Sequence, residues 1–345
     1  MYMRADSLWW SQTPGPMKLV ECLVDTLLGN GSAWLSGTFS WQSEFCSNVK
    51  EKLGEVDSNI NVEVLDAAEW CTDKKAEELI FSYDERASAD YLPAMDLAEF
   101  VQSKAILKDT IFWFSGVSKE NDWKWMELSK NLAKLDAGLR IVCAGSNLSI
   151  NAKKITLLKQ SDYVTEFDTL LFAMTLVQSK NWNTETKIYF SRLANELSAR
   201  DPEKIDALIE WCDDLLYDPI ACVQSKLGED NKAAALNAVR TAQIMSLYPK
   251  IEQARAQSVA EMYDRLVALL PFTDEYDALF EKPEDMELRH IIYFERQGRL
   301  QLTKEEKNRV SFLYNMRNEL SHRQIISGED ANALLNTTFS SLAIT

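Results

Sequence analysis

The chain has 345 residues, 46% of them apolar, and its 53 acidic against 37 basic side chains give a net charge of −16. That size and apolar share support a sizeable core and suggest two domains more readily than one. The acidic balance repels nucleic acid over the molecule as a whole, although local patches differ. No apolar run approaches the ~20 residues of a membrane span, and the first residues lack the basic and apolar regions of a secretory signal, so no membrane partner and a cytoplasmic location are expected.

The six cysteines fall singly, with no CxxC pair, and the chain has only two histidines, His290 and His322. Packed, reduced thiols and no metal site are expected.

In chain order, residues 1–16 read as a Pro- and Gly-containing leader, with Trp9 and Trp10 as anchors for a partner protein. From 17 to 179, short apolar runs alternate with segments of helical period. The expected strands are 33–37 (AWLSG), 61–67 (NVEVLDA), 109–117 (DTIFWFSGV), 140–145 (RIVCAG) and 162–167 (DYVTEF). EFCSNVKEKL and DWKWMELSKNLAKL between them are expected helices. Strands flanked by helices imply a mainly parallel sheet covered on both faces.

From 180 to 345 helix signals dominate. Asp201 and Pro202 form an N-cap and first-turn pair, and Pro219, Gly228, Pro249, Pro271, Pro283 and Gly298 divide the remainder into about six helices. Thr303 and Glu306 make a capping box that opens the helix carrying LYNMRNELSHR, 313–323. The expected fold class is therefore α/β plus all-α, a sheet domain followed by a helical bundle.

The order strand, loop, helix in AWLSGTFSWQSEFCSNVKEKL is where a phosphate-binding loop belongs. Such a loop needs glycines for the backbone wrap, a Lys to reach the phosphates, and a Ser or Thr for magnesium. Gly37 and Ser43 are what remains of a cofactor-binding loop, since Trp41 and Gln42 stand where Gly and Lys belong. The strand DTIFWFSGV runs into Phe114, Ser115 and Gly116 with no carboxylate. Over residues 17–179 the element order resembles P-loop ATPases of the AAA+ type, with both catalytic motifs lost. The resemblance implies a pseudo-ATPase platform and no resident cofactor. A nucleotide held without hydrolysis is the alternative.

In the second half, Asn318 and His322 lie four residues apart on one helix face, while Arg317 and His322 are about 140° apart around the axis. Arg317, Asn318 and His322 match the R-N-x-x-x-H pattern and resemble the HEPN superfamily of helical bundles. That resemblance implies a homodimer, joined through the helical domain, that cleaves RNA without metal. In it His322 moves the proton, Arg317 stabilises the phosphorane and Asn318 positions the imidazole. Imidazole titrates near neutrality and guanidinium matches phosphate geometry, so the residue types suit those roles. Another reading makes Arg317 a carboxylate partner and His322 a helix end. His290 is expected to pack or hydrogen-bond inside the bundle.

The two resemblances together imply a component of a prokaryotic defence or toxin-type system, with a metal-independent endoribonuclease activity and an RNA substrate. The alternative is a non-catalytic assembly subunit that holds a protein partner of a multi-subunit complex.

Overall fold

The computed structural model describes residues 4–70, 76–118, 126–131, 138–149, 155–228 and 231–336. The chain divides into two units, Met1–Phe172 and Ala173–Thr345.

The first unit is built on a five-stranded sheet: β1 (Ser32–Ser36), β2 (Asn61–Asp66), β3 (Thr110–Ser115), β4 (Arg140–Gly145) and β5 (Ile155–Lys159). The order is β2-β3-β4-β1-β5, and every neighbouring pair is parallel. The three inner strands, β3, β4 and β1, are buried along nearly their whole length, whereas β2 and β5 are exposed at several positions each. That contrast is what a parallel sheet covered on both faces requires of its centre and edges. Successive side chains serve opposite faces. Phe112 and Phe114 join Trp34 in the core on one face, while Trp113 between them meets Phe45 of α3 (Gln42–Val56) at 5.4 Å.

Four expected strands stand, and the fifth is displaced. The last strand is ITLLK, Ile155–Lys159, and the stretch 162–167 turns into α4 (Glu166–Leu176). Thr165 donates its N–H and hydroxyl to the Asp168 carboxylate, so T-x-x-D acts as a helix start that outweighs the β-branched run. Of the helix expected in DWKWMELSKNLAKL, residues 126–131 are helical and the rest lies outside the described residues.

Residues 5–16 are not an exposed leader. Helix α1 (Ala5–Gln12) is followed by α2 (Pro14–Leu28), and Trp9 and Trp10 are fully buried, so neither indole is free to anchor a partner. A close approach locks the corner between the two helices. Asp168 accepts the Gly15 N–H at 2.7 Å, and a Cβ at Gly15 would fall 2.5 Å from the Tyr163 carbonyl oxygen. On the sheet, the buried Arg140 donates to the Leu27 carbonyl at 2.8 Å and so caps the end of α2.

The second unit contains α5 (Thr184–Leu197), α6 (Pro202–Glu210), α7 (Lys232–Glu261), α8 (Leu288–Arg296), α9 (Lys304–Ser321) and α10 (Gly328–Asn336), with shorter helices between. Helix α7 packs against both α5 and α9. The expected N-cap at Asp201 and the Thr303/Glu306 capping box both form. Pro249, expected as a breaker, lies inside α7. Its neighbours Leu247 and Ile251 are fully buried, and their burial holds the helix through the lost N–H donor. The unit also departs from an all-helical expectation in one place, where β6 (Phe272–Thr273) pairs antiparallel with β7 (Leu279–Phe280). Asp274 closes this hairpin by accepting the N–H groups of Tyr276 and Ala278.

Past α9 the chain is fixed by the buried Gln243 of α7. Its amide nitrogen donates to the Ile326 carbonyl and its oxygen accepts the Ile326 N–H, both at 2.8 Å.

Candidate functional site

The loop after β1 opens at the carboxyl end of an inner strand, the place where open α/β sheets hold ligands. Aromatic rings fill its surroundings. Trp10 stacks on Phe45 at 4.3 Å and donates its indole N–H to the Ser40 carbonyl at 3.0 Å. Phe39 stacks on Phe45 at 5.2 Å, and Trp41, left-handed at φ 46°, meets Phe172 edge-on.

Gly37 does not supply open space either, because a Cβ there would sit 2.6 Å from the Gln160 side-chain oxygen. The Gly37 N–H is already donated to the Gly145 carbonyl. Ser43 is exposed on the first turn of α3, beside Glu44, whose negative charge opposes an anion at that helix end. β3 ends at Ser115, so no carboxylate is presented there for magnesium. These residues do not fit a nucleotide's phosphates.

Helix α9 carries Arg317, Asn318 and leads to His322. Arg317 Nη1 donates to Glu287 Oε2 at 3.1 Å, and its Nε lies 3.5 Å from Glu252 Oε1. Burial works against this guanidinium, but Glu287, the Tyr248 hydroxyl and Glu252 outweigh it and hold its pKa above the ordinary arginine value. His322 is the C-cap residue of α9, donating its backbone N–H to the Asn318 carbonyl at 2.9 Å. Its imidazole is exposed. No hydrogen bond links the Asn318 and His322 side chains among the described residues. Within one copy of the chain the guanidinium faces carboxylates of α7 and the N-cap of α8, and the imidazole faces solvent.

A third feature escaped the sequence. A cavity of about 560 Å³ lies between the β6–β7 hairpin, α8 and α9, lined by residues that include Phe272, Asp274, Arg289, His290, Tyr293 and Tyr314. His290 is buried as expected, 5% exposed, with Nδ1 accepting the Glu287 N–H at 3.1 Å. Burial and then the adjacent Arg289 hold its pKa below the ordinary imidazole value, against the pull of Glu287 and Asp274. The neutral ring therefore carries its proton on Nε2. That atom has no hydrogen-bond partner among the described residues, since Asp274 Oδ2 stands 3.8 Å away.

Asp274 Oδ2 also receives Arg289 Nη2 at 3.0 Å. Burial raises the pKa of this carboxyl, but the N–H groups of Ala278 and Tyr276 and the charge of Arg289 bring it below the usual value. The aspartate stays ionised. Had the hairpin been expected from the aromatic pairs around D-E-Y-D, His290 and Asp274 would have been paired in advance.

No protein-family profile and no curated protein matches this chain. A solved structure described as a DNA replication initiation factor is 11% identical, with 88% of this chain and 92% of that one covered and a TM-score of 0.34.

Proposed function

We propose that this protein is a non-catalytic assembly subunit, whose P-loop-like domain serves as a packed platform and holds a protein partner of a multi-subunit complex. The observation that carries this reading is the loop after β1. Where phosphates would be wrapped, Trp10 is bonded to Ser40 and Gln160 crowds Gly37. A buried aromatic cluster of this kind stabilises one rigid loop geometry and offers no cation to an anionic ligand. The cellular setting that accords with a pseudo-ATPase joined to a helical domain is a defence or toxin-type system.

The test is calorimetry with ATP and with ADP in magnesium, beside a phosphate-release assay. No heat and no turnover are expected, with a stoichiometric protein partner recovered from the native host. Stoichiometric nucleotide binding or sustained hydrolysis would overturn the platform reading.

A second reading is favoured by one observation, the exposed imidazole of His322 at the end of α9. In a homodimer, two such ends would supply a metal-independent ribonuclease centre, with Arg317 exchanging its carboxylates for a phosphodiester. RNA incubated with purified protein in EDTA decides it. Cleavage by wild type that disappears in His322→Ala would establish the nuclease and displace the first reading, and intact RNA would retire it.

A further inference from the structure

We propose that the cavity between the β6–β7 hairpin, α8 and α9 binds an adenine-type base, an uncharged planar heterocycle presenting an exocyclic amine beside a ring-nitrogen acceptor. This goes beyond the assembly reading and does not depend on it.

Size and shape come first. A volume of about 560 Å³ falls within the range of small-molecule pockets and accommodates a nucleoside. Phe272, Tyr293 and Tyr314 line it, and aromatic faces are the surfaces on which bases stack regardless of sequence. Tyr293 is 53% exposed, so part of its ring stays open to a ligand.

Hydrogen-bonding capacity narrows the class. With Nδ1 committed to the Glu287 N–H, His290 presents a buried Nε2–H donor that no described group accepts. Asp274 Oδ2, 3.8 Å from it, presents an acceptor. A donor and an acceptor side by side complement the edge of adenine that offers N6–H and N7, the same complementarity an Asn or Gln side chain uses. Uracil offers no exocyclic amine, and hypoxanthine replaces the amine with a carbonyl that would face the aspartate.

Charge excludes a nucleotide. Arg289 is the cation of the cavity, and it is surrounded by Asp274 at 3.0 Å, Glu287 at 3.3 Å and Glu275 at 3.9 Å. The surplus of carboxylates repels a phosphate, so the free nucleoside or an unphosphorylated end is the better ligand.

Calorimetry of the full chain with adenosine tests this. Saturable binding of one adenosine is expected, with inosine, uridine and AMP each weaker by roughly tenfold or more, in keeping with the loss of a paired polar group or the gain of repulsion. Tyr293→Ala should weaken adenosine roughly tenfold or more, and Tyr293→Phe should restore it. The exposed position of Tyr293 leaves the fold intact, which circular dichroism verifies. No heat with millimolar adenosine overturns the proposal, as does adenosine binding that Tyr293→Ala leaves unchanged or that inosine equals.

Discussion

The loop after β1 and the end of α9 are two places where the sequence alone suggests phosphate chemistry, and the structure surrounds them in opposite ways. The first is packed shut by aromatic rings from α1, α3 and α4. The second keeps its charged residues, but Arg317 is turned to carboxylates while His322 stands in water. The lesson is that a motif's residues acquire a role from what other elements bring to them. Within one copy of the chain, Arg317 ties α9 to the carboxylates of Glu252 and Glu287.

The largest effect that could break this contrast lies in the aromatic loop. Trp10→Ala should lower stability by about 3–5 kcal/mol, as expected for removing a fully buried ring. Urea unfolding checks it, and a near-neutral result would show that the loop does not depend on α1. Gly15→Ala comes next, at about 1–3 kcal/mol, because the new methyl meets a backbone carbonyl that must shift.

Acid sharpens the picture of α9. Arg265, helped by Thr303 and opposed by burial, depresses the Glu306 carboxyl from 4.5 to about 2. Its folded-state pKa lies below the unfolded one, so its contribution is complete above pH 4.5 and fades as the pH falls toward about 2. Allowing for solvent screening of the half-exposed Arg265, about 1 kcal/mol is at stake. Urea midpoints at neutral pH and near pH 3 should therefore converge further in Glu306→Gln than in wild type.

The smallest effects separate the two ends of the motif. Arg317→Ala should cost roughly 1 kcal/mol, because Glu287 and Glu252 lose their counter-charge, whereas His322→Ala should stay within about 0.5 kcal/mol. Thermal unfolding of the two variants measures the difference, and a costly His322→Ala would mean that the imidazole has a structural contact.

Much of the architecture was legible. The central strands announced themselves because they are buried on both faces and so are apolar throughout, and Asp201 and Thr303 mark helix starts by local hydrogen bonding. Trp9 and Trp10 misled because a short Pro- and Gly-flanked segment looks exposed until long-range packing against Phe45 and Phe172 is known. Pro249 misled for the same reason, since tertiary burial of its neighbours outweighs a local helix penalty. The Arg317 carboxylates come from α7 and from just before α8, distant in sequence, so the motif alone held no sign of them. The His290 cavity depended on a hairpin of two-residue strands, too short for any periodicity to reveal.

Gln243 carries a wider consequence. By imitating one rung of a sheet, its amide sets the direction in which the backbone leaves α9, a task usually left to local turn chemistry. Lengthening the stretch between His322 and Ile326 by a single residue would therefore throw α10 out of step with its neighbours.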